Sequence, residues 1–260
     1  MSILVAVKVY DGLVIGADSQ TSITATGPQG VAQVVKTYSN ARKVFHLGDF
    51  PIGVGTYGVG NIGQQSMEGL ILKFNDKIKN EPHLSVEEAA RQLFGFIAPQ
   101  YNTQFEAQAQ KPFLGFMLIG YTKGHDTGEE WEFVLPQDSA PRLARPANQF
   151  GAIWRGANMW AVRLFFGIDT RLIEAARQSG ATESVVTLLS RGFPSQIIFE
   201  SMPLQDAVDF AEFVLNMTIG ASRFEVGSPV CGGPIDLAII RPDVGFKWYK
   251  QKSLQELIEI

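Results

Sequence analysis

Ile3 to Val9 is an apolar run rich in β-branched residues, Asp11-Gly12 is a hairpin turn signal, and Leu13 to Ala17 is a second apolar run. A half-exposed strand would alternate apolar and polar positions, whereas these runs are nearly continuous, so both faces of the opening hairpin are expected to be covered. Short strands are predicted over Lys43 to Leu47 and Pro51 to Thr56. From Asn61 onward, Ile62, Met67, Leu70, Ile71, Phe74 and Ile78 recur at helical spacing. A second helix begins at the capping-box pattern Ser85-Val-Glu-Glu88, followed by the apolar face of Val86, Ala89, Ala90, Leu93, Phe94 and Ile97.

The middle of the chain is strand-rich. Phe113 to Tyr121 and Trp131 to Leu135 predict a hairpin, Phe150 to Trp154 a further strand, and Pro136 to Asn148, with three prolines, a surface loop. Helices are predicted around Asp169 to Gln178, Thr182 to Ser190 and Pro203 to Thr218, with Pro203 at the first helical position. Ile235 to Arg241 and Gly245 to Tyr249 close the chain as strands. Strands and helices thus follow one another in blocks without βαβ alternation, which excludes a doubly wound parallel sheet and points to α+β.

Composition narrows the field. With 260 residues, 45% of them hydrophobic, the chain is expected to bury one core, so residues 1–260 are read as a single domain. Twenty-two basic against 26 acidic side chains leave a net charge of −4, with no sign of a nucleic-acid or membrane partner. Cys231 is the only cysteine, and His46, His83 and His125 are scattered, so neither a disulfide nor a metal site or other cofactor is expected. With no export signal at the N-terminus, the expected location is the cytoplasm.

Three residues carry candidate chemistry. Removal of Met1 would leave Ser2 with a hydroxyl and a free α-amine, a nucleophile and a base on one residue, because an α-amine titrates near pH 8. Asp18 follows Gly16-Ala17 where the second strand leaves the core, and Lys43 opens an apolar strand where a half-buried ammonium needs a carboxylate. Asp18 is the obvious partner. Each residue alone also fits a plainer role: a common second residue, a turn-capping aspartate and a surface lysine.

Together they resemble the proteasome β-subunit family written with a serine nucleophile. Ser2 precedes Asp18 by sixteen residues, Val9-Tyr-Asp-Gly-Leu-Val-Ile-Gly-Ala-Asp18 resembles the family's hairpin, and Lys43-Val-Phe-His-Leu its lysine-bearing strand. Cys231-Gly-Gly-Pro-Ile-Asp-Leu-Ala-Ile-Ile-Arg-Pro-Asp resembles the family's Ser-Gly-Gly segment and final hairpin. The resemblance implies the N-terminal-nucleophile hydrolase fold, a four-layer αββα sandwich of two antiparallel sheets flanked by helices. It implies a peptidase in which Ser2 attacks a peptide carbonyl, its amine relays the proton, and Lys43 paired with Asp18 tunes that amine. A backbone amide at Tyr57 or Gly58 would meet the oxyanion.

The sequence departs from the family at its supporting residues, which fall on Ser228, Cys231 and the segment Arg155-Gly156-Ala157-Asn158. The resemblance also implies stacked homo-oligomeric rings, hexameric or heptameric, acting on peptides or unfolded proteins, with an ATP-driven unfoldase as a partner by analogy. With no propeptide expected beyond Met1 and insertions near 136–148 and 191–205, the resemblance is to the simple bacterial proteasome-like peptidases, with three types left open: the ancestral β-subunit type, the β-proteobacterial homologue type and the ATPase-partnered two-ring protease. Two other classes stay open: a catalytically silent assembly subunit, and a small-molecule amidase with the same N-terminal nucleophile. Trp154, Trp160, Phe165 and Phe166 are read as an aromatic subunit interface.

Overall fold

The computed structural model describes residues 2–26 and 32–252. Its strands and helices run in the order β1 (Ile3–Val9), β2 (Gly12–Ala17), β3 (Thr21–Thr26), β4 (Ala32–Tyr38), β5 (Val44–His46), β6 (Ile52–Gly58), β7 (Asn61–Ile62), β8 (Gln65–Ser66), α1 (Met67–Ile78), α2 (Val86–Gln104), β9 (Leu114–Gly120), β10 (Glu129–Leu135), β11 (Arg142–Arg145), β12 (Gly151–Gly156), α3 (Met159–Phe166), α4 (Thr170–Gln178), α5 (Glu183–Arg191), α6 (Leu204–Arg223), β13 (Asp236–Arg241) and β14 (Gly245–Lys250). The result is a mixed α and β fold of antiparallel sheets and helices. One five-stranded sheet has the order β12-β1-β2-β13-β14 and the other β11-β10-β9-β6-β5.

The continuous apolarity of β1 has a direct structural cause. Ile3, Val5, Val7 and Val9 face a cluster shared with Ala207, Val208, Ala211 and Leu215 of α6, while Leu4 and Ala6, with Ile15 of β2, face the other sheet through Val44, Met117 and Ile119. Every residue of β1 and β2 is buried. The second sheet lays its other face on α1 and α2, where Phe116 and Phe133 meet Phe74, Leu93 and Ile97. Such burial stabilises by about 25 cal/mol per Å² of apolar surface, which fixes the register of the central strands against slippage.

Several elements differ from the sequence expectation. Helix α1 begins at Met67 because Asn61–Ser66 first forms a small hairpin, and Ser66 Oγ then caps the helix by accepting from Gly69 N–H at 3.1 Å. Ser85 caps α2 as expected, accepting from Glu88 N–H at 3.1 Å. The proline-bounded segment read as a loop contains β11, an edge strand whose Arg142 and Arg145 reach the buried Glu132 and Glu130 at 2.7 and 2.6 Å. In the ribbon β3–β4, the Thr/Ser-rich β3 and the mixed Ala-Gln-Val-Val-Lys-Thr-Tyr of β4 show no core period, so they left no strand signal. Pro203 is the N-cap of α6 rather than its first residue, and α3 was not anticipated.

The aromatic segment packs within the chain: Trp154 stacks on Phe165 at 5.3 Å, and Phe165 meets Phe210 of α6 at 5.3 Å. No helix among the described residues is long and apolar enough to cross a membrane.

Candidate active site

Three strand ends meet at one place. Ser2 lies just before β1 and is buried, with its carbonyl oxygen accepting from Ala157 N–H at 2.7 Å. Beside it runs Gly156, whose φ of +81° and position 1.8 Å (measured from an added Cβ) from Ser2 O admit no side chain. Asp18 leaves the end of β2 with its N–H donating to Ile3 O at 3.2 Å. Lys43 immediately precedes β5, where its carbonyl accepts from Thr56 N–H of β6 at 2.9 Å.

Asp18 organises the centre. Its Oδ1 accepts from Lys43 Nζ at 2.7 Å and from Ile3 N–H at 3.1 Å, so one oxygen ties the lysine to the residue after Ser2. Its Oδ2 accepts from Gln20 N–H at 3.1 Å and Gly232 N–H at 2.9 Å. A buried carboxylate is tolerated only with such a set of donors. Lys43 Nζ also donates to the Gln20 carbonyl. Burial pushes the Lys43 ammonium below the ordinary lysine range, and the charge and hydrogen bond of Asp18 oppose that shift.

Ser2, Lys43 and Gly58 line a cleft of about 840 Å³, together with Thr21, Met67 and Phe113. The two candidate oxyanion donors differ in direction. Thr56 N–H points to the β5 edge and Val59 N–H donates to Phe113 O at 3.0 Å on the opposite edge. Strand alternation therefore turns Tyr57 N–H toward β9 and Gly58 N–H toward the β5 edge, past the point where the partner strand ends at Lys43. The Tyr57 phenol is buried in the core between the sheets, and burial, helped by Glu132, pushes its pKa to about 12.

At the supporting positions, Ser228 is exposed on the cleft rim, and Cys231 is buried. Burial, helped by the Asp18 carboxylate, pushes the Cys231 thiol up to about 11, so it is not an ionised nucleophile at neutral pH. Arg155 turns into the space between the sheets and grips Glu132 with two hydrogen bonds of 2.8 and 3.0 Å, which fixes the strand end carrying Gly156. Among the described residues no group of three or more His, Cys, Asp or Glu could hold a metal ion.

No family model and no curated protein matches the sequence. Solved structures do match its fold. The helical assembly of the Anbu complex from Pseudomonas aeruginosa aligns with a TM-score of 0.59 at 18% identity, covering 98% of this chain and 87% of that one. Anbu, the ancestral β-subunit, from Yersinia bercovieri aligns with a TM-score of 0.56 at 14% identity, over 96% of this chain and 88% of that one. Anbu from Hyphomicrobium sp. strain MC1 aligns with a TM-score of 0.57 at 14% identity, over 96% and 86%.

The chain shares the fold of Anbu. This corrects the resemblance drawn from sequence: Anbu proteins are proteasome-like but distinct from the proteasome β-subunit family, and the assignment to that family is withdrawn. The hairpin and the Ser2, Asp18 and Lys43 spacing do not by themselves distinguish one proteasome-like family from another, which is why they misled at the finer level. Ser2, Asp18 and Lys43 nonetheless gather at one site.

Sequence reasoning missed the backbone partners. The Gln20 carbonyl and the Ile3 amide carry no side-chain signal. Gly232 and Gly156 were legible only as glycines, where an added Cβ would meet Gln20 Oε1 at 2.5 Å and Ser2 O at 1.8 Å. Met1, whose removal the chemistry requires, lies outside the described residues.

Proposed function

We propose that the protein is an N-terminal serine peptidase subunit of a proteasome-like, Anbu-type homo-oligomer. The observation that carries this reading is the buried Lys43–Asp18 pair, tied through Ile3 N–H to the residue after Ser2, with Ser2 and Lys43 facing the same cleft. A structural ring subunit gains nothing from a buried ammonium there, since burying an ion pair costs desolvation that an apolar pair would not.

In this reading Met1 is removed and Ser2 Oγ attacks a peptide carbonyl while the Ser2 α-amine takes its proton. The amine then delivers that proton to the leaving peptide nitrogen, giving an acyl-enzyme and a free amino terminus. Water attacks the ester with the amine again as base, releasing the acid and restoring Ser2. Lys43, held by Asp18, sets the local positive potential that keeps the amine neutral enough to act. Gly58 N–H, turned toward the β5 edge, meets the oxyanion.

Residues 1–260 are read as one domain and as a four-layer sandwich. Helices α1 and α2 on one sheet, α6 on the other and the shared cluster between the sheets support that reading. A peptidase with so open a cleft needs enclosure by its own copies, and the helical assembly named for the Pseudomonas protein supports a homo-oligomer. Hexameric or heptameric rings, a cytoplasmic location, unfolded-protein substrates and an ATP-driven unfoldase belong to the same reading. Ser228 and Cys231 at the supporting positions favour one rival, a silent assembly subunit.

Hydrolysis of fluorogenic peptides by the assembly, compared with Ser2→Ala, tests the proposal. Activity lost in Ser2→Ala with the particle intact supports it, while equal rates in both, or none in either, sink it. A monomer by size-exclusion mass that hydrolyses small amides would instead establish the amidase reading.

A further inference from the structure

Behind the Lys43–Asp18 pair lies a second buried ion pair. Lys252 follows β14 and returns to the end of β2, where its Nζ pairs with Asp236 Oδ2 and donates to Ser19 Oγ at 2.7 Å. Its backbone N–H also donates to Asp236 Oδ1 at 2.9 Å. Asp236 stands opposite Ala17 in the β13–β2 register, one residue from Asp18. Ser19 is fully buried, its N–H donates to Gly232 O at 3.0 Å, and its carbonyl accepts from Ala41 N–H at 2.8 Å. Ser19 therefore links the Asp18 turn to the segment leading into Lys43, and Lys252 fastens that link.

We propose that Lys252 is a positioning residue for the Lys43–Asp18 pair, fixing the Asp18–Ser19 turn and setting a second positive charge behind Lys43. The titratable groups facing Lys43 are Asp18 from the end of β2, the un-ionised Cys231 thiol from the segment before β13 and Lys252 beyond β14, with the Arg42–Glu68 pair on the cleft wall. Burial is the main cause that works against protonation of Lys43, and Lys252 adds a smaller push in the same direction. The arrangement supplies a local support where Ser228 and Cys231 provide no ionised group. The functional meaning rests on the peptidase reading, but the electrostatic link itself does not.

Competitive labelling of lysines with a trace of acetic anhydride across pH, read by peptide mass spectrometry on the assembled protein, gives the Lys43 midpoint without requiring activity. Lys252→Met is expected to raise that midpoint, because a positive charge that opposes protonation of Lys43 is removed. Lys252→Arg is expected to leave it in place, and Asp236→Asn, which strips the counter-ion from Lys252, to lower it. A merely structural staple would lower thermal stability in Lys252→Met without opposite shifts in the two charge variants. An unchanged midpoint in Lys252→Met, or shifts of the same sign in Lys252→Met and Asp236→Asn, overturns the proposal. If Lys252→Met does not fold, the direction in Asp236→Asn decides. Failure of a peptide vinyl sulfone to label wild-type Ser2 would sink the peptidase reading alone, leaving the Lys43 titration to judge Lys252.

Discussion

Lys43 Nζ lies 2.7 Å from Asp18 Oδ1, and both side chains are buried. The same oxygen accepts from Ile3 N–H at 3.1 Å. A single carboxylate therefore sets the position of the ammonium relative to the start of β1. Removing it strands a buried charge.

Asp18→Ala is accordingly expected to lose about 3–5 kcal/mol of stability, the usual cost of an unpartnered buried ion, and all peptidase activity. Urea unfolding together with the peptide assay checks both. Stability within about 0.5 kcal/mol of wild type would show that Lys43 does not depend on Asp18.

Lys43→Met separates chemistry from folding. A methionine fills the volume of the lysine stem and leaves Asp18 its three backbone N–H donors. The expected outcome is a folded assembly with activity reduced at least about a hundredfold, since a general acid–base system contributes on the order of 10²–10⁴. Retained turnover would remove Lys43 from the mechanism.

The fold was legible where burial imposes a period. The β1–β2 hairpin, α2 with its Ser85 cap, the β9–β10 hairpin and the closing β13–β14 pair all follow from apolar runs bounded by turn or cap residues. Elements held by other means were not. The edge strand β11 is held by Arg142 and Arg145 reaching into buried carboxylates, and nothing in a proline-flanked Arg-Leu-Ala-Arg announces that. The side chains of the site could be picked out as Ser2, Asp18 and Lys43, while its backbone donors at Ile3, Gln20 and Gly232 depend on how strands from distant parts of the chain meet. The family could not be read at the same level, because a shared hairpin spacing does not separate one family from another.

Gly156 offers a geometric test. With φ at +81° and Ser2 O in the space of a Cβ, Gly156→Ala must move either β12 or Ser2. The expected cost is at least about 2 kcal/mol from backbone strain and displacement, with activity falling more than stability. Thermal unfolding and the peptide assay on the same preparation check this.

Cys231 sets an alkaline dependence. Its thiol is raised from 9.0 to about 11 in the folded protein, so its contribution is complete below pH 9 and disappears as pH rises through about 11. The folded state holds the proton longer than the unfolded state in that window, so stability falls with pH there. Cys231→Ala is expected to flatten that fall by on the order of 2 kcal/mol, judged by urea midpoints at pH 7 and pH 10.5. Parallel pH curves for wild type and variant would show that the thiol is not desolvated as described.

The most direct measurement is intact mass and N-terminal sequencing of the purified assembly, followed by labelling of the same sample with a peptide epoxyketone. The account predicts loss of Met1 and one adduct on Ser2. Retained Met1, or a free Ser2 that never reacts, would contradict it and leave a silent assembly subunit.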